Sequence, residues 1–149
     1  MNDDVIDDID HHIGQAGSIE RAAMVPGMYL AWCVNLQLVS NAFHDEFERD
    51  MLRLRYRELT PAAFFIKATG GRLLTSQLSE RGRLFSAHYY ATYCAEAVDP
   101  THRAPLYDAN DDWDTYDAVA PGLTKAYYDF ADAGHKAAGS GKHWWQVWR

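Results

Sequence analysis

Only two cysteines, Cys33 and Cys94, occur in 149 residues. That is too few for a disulfide framework. Both fall in apolar helical patterns, so buried free thiols in a reducing compartment are expected. The chain has no paired-cysteine zinc pattern, no phosphate-binding glycine motif and no nucleophile elbow. The usual sequence warrants for structural zinc, nucleotide binding or serine hydrolysis are therefore missing. An uninterrupted apolar run is missing too. The longest apolar stretch, residues 22–39, is broken by Pro26, Gly27, Asn35 and Gln37 and lacks a basic flank. It reads as a buried core helix rather than a membrane span. The first residues are Asp-rich, not basic and then apolar, so no export signal and a cytoplasmic location are expected. Positive charge is scarce: 14 bases face 21 acids, for a net charge of −7. A general nucleic-acid binder needs the opposite balance.

What is present is a core. Hydrophobic residues make up 48% and aromatics 13%, including five Trp and nine Tyr. At this length they suit one domain whose packing is dominated by large flat side chains. Ser18 heads a helix running to about Ser40, with Pro26 starting or kinking its main body. Phe43, Phe47, Met51 and Leu54 repeat at helical steps over 43–59. Thr60-Pro61 starts a short helix over 62–68, with the threonine hydroxyl as its cap. Gly70-Gly71 ends it, and Arg72-Leu73-Leu74 reads as extended. A further helix is expected from Ser76 to about Val98, where the interior Gly82 points to close helix contact. Trp113, Tyr116, Ala120, Leu123, Tyr127 and Phe130 give a strong helical period over 112–132, interrupted at Pro121-Gly122.

The fold class is therefore mostly α: a single compact domain of about five helices, with room for one short β-hairpin near residues 70–76. Residues 1–17 are expected to be a mobile acidic arm, 18–136 the helical domain, and 137–149 a Gly/Ser link with a Trp-rich tail that packs on the domain or on a partner.

The charge is unevenly placed. Residues 1–48 carry nine acids and one base, residues 49–103 nine bases and five acids, and residues 104–149 seven acids and four bases. The middle can neutralise part of both ends. The densest acidic strip joins Asp108, Asp111, Asp112, Asp114 and Asp117 to Trp113 and Tyr116, and no Lys or Arg lies between Arg103 and Lys125. Aromatic area beside negative potential suits recognition of a basic partner. The plainer reading places Trp113 and Tyr116 in the core. Both fit if the rings face inward and the carboxylates outward.

Other chemistries are weaker. Asp7, Asp8, Asp10, His11 and His12 offer donors for a divalent ion, but adjacent residues point apart and a mobile arm fixes no geometry. As a calcium loop, Asp108–Asp117 fails at the turn glycine (Trp113) and at the bidentate acid (Val119). Glu80, His88 and Glu96 are spaced by eight and do not touch. His88, followed by Tyr89 and Tyr90, reads as a core histidine, and Cys94 as a packing thiol. Arg49, Arg53 and Arg57 form a row read as a solvated face. No catalytic residue, metal or cofactor is assigned.

Several ordered segments resemble a numbered bacterial domain family of unknown function. They are Gly27-Met-Tyr-Leu-Ala-Trp32 with Leu38-Val-Ser40, then Leu74-Thr-Ser-Gln-Leu78 with Gly82 and Phe85, then Tyr89-Tyr90. Tyr107, Asp111-Asp-Trp113 and Tyr116-Asp117 complete the set. The resemblance covers about residues 7–130. The family opens with Asp-Asp, Trp-His and a Gly- and Pro-containing segment. Here Asp7-Asp8 and His12-Ile-Gly14 echo it, His11 stands in the Trp position, and the Pro-rich part is missing. Members look like proteins encoded beside secreted polymorphic toxins. The resemblance thus implies an immunity protein, a stoichiometric inhibitor of one cognate toxin domain, plausibly a nuclease or NAD-targeting enzyme.

The leading expectation is a non-enzymatic binding protein. It meets a basic toxin domain through Asp108, Asp111, Asp112, Trp113, Asp114, Tyr116 and Asp117, with no nucleic acid or membrane partner. One alternative is a small metal-binding protein or enzyme using the N-terminal Asp and His groups with His88. Another is an adaptor self-associating through the Trp-rich tail.

Overall fold

Serine hydroxyls set three helix starts. Ser18, Ser40 and Ser79 accept from the amides of Arg21, Phe43 and Gly82, satisfying donors that a helix leaves open at its first turn. The computed structural model describes residues 4–138. Seven α-helices and two antiparallel strand pairs lie among them. In chain order they are β1 (Val5–Asp8), α1 (Ile13–Ala16), α2 (Ile19–Ala22), α3 (Met24–Asn35), α4 (Asn41–Arg55), α5 (Pro61–Thr69), β2 (Arg72–Leu74), α6 (Glu80–Ala95), β3 (Val98–Asp99), β4 (Ala104–Pro105) and α7 (Trp113–Ala138). The mostly α, single-domain expectation holds.

The apolar stretch is the centre of the molecule. Met24 through Val34 of α3 are all buried, as expected for a helix apolar on every face. It packs on α5, α7 and α4. Gly27 permits the close approach of α5, since a Cβ there would lie 2.9 Å from the Cα of Ala62. Gly82 plays the same part on α6, where a Cβ would overlap the Leu38 carbonyl oxygen. Trp32 meets Phe85 and Tyr127, joining α3, α6 and α7 through edge and tilted ring contacts. Its indole N–H donates to Thr124 at 3.0 Å. Helix α7 runs unbroken through Pro121, because Leu123 and Tyr127 beyond the proline are buried in the core. Among the described residues no helix is long and apolar enough to cross a membrane.

Two expectations change. Residues 4–17 are not a mobile arm. β1 pairs antiparallel with β2, Val5 opposite Leu74 and Asp8 opposite Arg72, so the extended segment at 72–74 finds its partner in the N-terminus rather than in a local hairpin. Asp7 and His12 are buried, and these polar groups tie the segment down. The first helix is divided, α2 giving way to α3 at Ala23. The Trp-rich tail lies outside the described residues.

Candidate functional site

The acidic strip does not form one outward-facing surface. Asp111 turns inward: one carboxylate oxygen accepts the Ala62 amide at 3.0 Å and the other the Thr60 hydroxyl at 2.5 Å. It therefore caps α5 from across the fold, and Thr60 itself makes no side-chain cap bond. This corrects the expectation of a threonine cap. Asp112 caps α7, accepting the Thr115 amide at 2.8 Å. Asp117 takes a bidentate pair from Arg57, at 2.8 and 2.9 Å, and Arg57 holds its carboxyl below the usual carboxylate range. Asp108 pairs with Arg21 at 3.3 Å. The chain's own groups thus engage four of the five strip carboxylates.

The aromatics face largely inward, as expected. Tyr116 is buried, and Asn35 donates to its hydroxyl at 2.8 Å. Trp113 is half-buried, edge-on to Tyr116, with the Arg57 guanidinium 4.7 Å from its ring centroid. Arg57 follows the C-terminus of α4 in the left-handed conformation, φ +61°, its amide bonding the Leu54 carbonyl and the Glu58 amide the Arg53 carbonyl, and the cation–π contact adds to the Asp117 pair. Arg57 is exposed, as its row with Arg49 and Arg53 was read, but it lies past the end of α4 and is engaged by Asp117 and Trp113.

A concave acidic feature survives. Asp108, Asp112 and Asp114 line a cavity of about 410 Å³ with Asp99, His102, Asn110 and Thr115. It lies between the β3–β4 loop and the start of α7. Asp99 is buried, and His102 and the Thr101 amide bond it. The His102 hydrogen bond holds its carboxyl below the ordinary value against the opposing effect of burial. Sequence reading missed Asp99, because it is brought to the strip only by the β3–β4 turn.

The second constellation is one that spacing argued against. Asp7 accepts from His12 Nε2 at 2.6 Å, from the Tyr90 hydroxyl, from the Asp8 amide at 2.8 Å and meets His11 Nδ1 at 3.1 Å. His12 Nδ1 bonds the Tyr107 hydroxyl. Burial alone raises the Asp7 pKa, but the bonds from His12 and Tyr90 and the His12 charge bring it below the carboxylate norm. Burial pushes the Cys94 thiol up to about 11. Asp7, His11, His12, Tyr90 and Cys94 line a cavity of about 510 Å³, with Arg83 and Ser86 on its α6 side. The 3-10 turn Ile9–His11 lets the neighbours His11 and His12 reach one carboxylate. His88 is exposed against Phe130 and takes no part, correcting its reading as a core histidine.

Fold and site together define a small acidic helical domain with a carboxylate-lined hollow on one side and a buried Asp–His–Tyr network under its N-terminal strand. The chain belongs to the family described as Domain of unknown function (DUF7832), whose profile matches residues 5–121. Both constellations fall within that span. No curated protein and no solved structure matches the chain.

Proposed function

We propose that this is a non-enzymatic, cytoplasmic binding protein of the immunity type, which neutralises a cognate bacterial toxin domain by direct contact with a basic surface. The observation that carries the reading is the hollow lined by Asp99, Asp108, Asp112 and Asp114. A concave cluster of carboxylates suits an inserted Lys or Arg better than a flat acidic strip does, because low-dielectric walls focus the field. Asp111 and Asp117 leave the proposed contact set, since neither lines the hollow. Trp113, between the hollow's Asp112 and Asp114, carries Arg57 on its ring, and the neighbouring Tyr56 is 75% exposed; these are residue types that dominate binding hot spots.

The test is titration calorimetry against the product of the neighbouring gene. A stoichiometric complex is expected. Asp114→Lys together with Asp112→Ser, which keeps a helix cap while removing a charge, should weaken it by tenfold or more, about 1.4 kcal/mol. Rising salt should slow association. Absence of a complex, or an affinity indifferent to both substitutions, rejects the reading.

A further inference from the structure

Three side chains of different chemistry converge beneath β1. The donor atoms of Asp7, His12 and Cys94 all lie within 4.8 Å of one another. They come from β1, the following turn and α6, so tertiary packing alone unites them. Asp7 and His12 are buried and Cys94 is half-buried. All three line the same cavity of about 510 Å³.

We infer that Asp7, His12 and Cys94 form a site for one divalent cation of the zinc class, with a fourth coordination position facing that cavity. The donor set selects the metal class. Thiolate and imidazole suit zinc and its neighbours, whereas calcium and magnesium take oxygen ligands. Metal–ligand bonds near 2.0–2.3 Å would place these donors roughly 3.3–3.8 Å apart, so His12 Nε2 and Asp7, 2.6 Å apart here, part slightly, and no pair in the set, all within 4.8 Å, moves far. Charge also balances: one carboxylate and one thiolate neutralise a dication, so the buried site carries no net charge.

The surrounding bonds are those a metal site needs. Tyr107 sits on His12 Nδ1, so an Nδ1–H donated to that oxygen leaves Nε2 as the ligand atom. Tyr90 and His11 hold the Asp7 carboxylate. Such outer partners orient ligands and tune affinity. On binding, the Cys94 thiol proton leaves to solvent as the sulfur–metal bond forms. The proton that His12 Nε2 gives to the Asp7 hydrogen bond is released to solvent as well, the ring keeping its proton on Nδ1, so that bond gives way to two bonds to the ion. A site with three protein ligands and an open position beside a cavity is the arrangement that binds water or a small anionic ligand on the metal. It lies apart from the acidic hollow and is read without any partner protein.

The experiment loads the full chain with zinc or with cobalt(II), removes excess by gel filtration, and measures metal per chain and the absorption spectrum. One zinc per chain is expected, with a thiolate-to-cobalt charge-transfer band in the cobalt form. Cys94→Ser should abolish the band and lower zinc affinity more than tenfold, while Cys33→Ala should leave both unchanged. Tyr107→Phe should weaken zinc ten- to a hundredfold without removing a ligand. Cys94 is half-buried, so Cys94→Ser should keep its helical circular dichroism even if Asp7→Asn or His12→Ala fails to fold. Substoichiometric metal in the wild-type chain, or zinc binding indifferent to Cys94→Ser, overturns the site.

Discussion

Asp111 and Asp114 stand three residues apart and do different work. Asp111 holds the first turn of α5 through the Ala62 amide, whereas Asp114 is exposed. Removing a helix cap costs about 1 kcal/mol, and losing a charged acceptor with a half-buried hydroxyl donor adds to it. Asp111→Ala should therefore destabilise by about 2 kcal/mol in urea denaturation, with Asp114→Ala within about 0.5 kcal/mol of wild type. Equal effects would mean that the strip acts as one unit after all. A sequence cannot separate these residues, because the amide that Asp111 serves is 49 positions away. Gly82 is the reverse case, since its place inside a helical period already pointed to close contact. A methyl there meets the Leu38 backbone, which cannot step aside as a flexible side chain would. Gly82→Ala should cost about 3 kcal/mol despite its gain in helix propensity; an unchanged urea midpoint would refute that packing.

Among the elements, α7 was the most legible and β1 the least. The three- and four-residue steps from Trp113 to Phe130 announce a helix whatever surrounds it, because one stripe must be buried. The break suggested by Pro121-Gly122 does not occur, since packing of Leu123 and Tyr127 overrides a local penalty of about 3 kcal/mol for an interior proline. Gly122 is exposed, and a Cβ there meets nothing within 4 Å. Gly122→Ala should thus stabilise the protein by about 0.5–1 kcal/mol through backbone entropy alone. A loss of stability in thermal melts would show that α7 bends at this point in solution. β1 offered no such signal. Four residues, Val-Ile-Asp-Asp, do not alternate cleanly, and their partner lies in the seventies. Acidity at a chain start suggested solvent, yet Asp7 is 4% exposed and anchors the strand through histidine and tyrosine. That reversal also hid the metal site, whose third ligand comes from α6. The donor types Asp7 and His12 were visible in the sequence, but their convergence with Cys94 was not.

For the whole molecule, the net charge of −7 matters less than where protons bind on unfolding. Asp7, Asp99 and Asp117 all have pKa values lowered from 3.8 in the folded chain. The unfolded state then binds more protons in acid, so these groups stabilise above about pH 4 and that contribution fades as pH falls through their folded values. At the other end, burial raises Tyr90, Tyr93 and Cys94 above their ordinary values, Cys94 from 9.0 to about 11. There the unfolded state loses protons first, and stability declines as pH climbs past about 9. Urea midpoints measured from pH 3 to 10 should trace a plateau with both shoulders falling. Asp7 and Asp99, both buried, carry the acid shoulder. Asp117 is half-exposed beside Arg57, where solvent screens most of the pair's energy. Asp7→Asn should lower the plateau and flatten the acid limb, whereas Asp117→Asn should leave its slope nearly intact. If the two substitutions flatten it equally, the buried network under β1 is not the acid-sensitive part of the fold, and the strand must be held mainly by its pairing with β2.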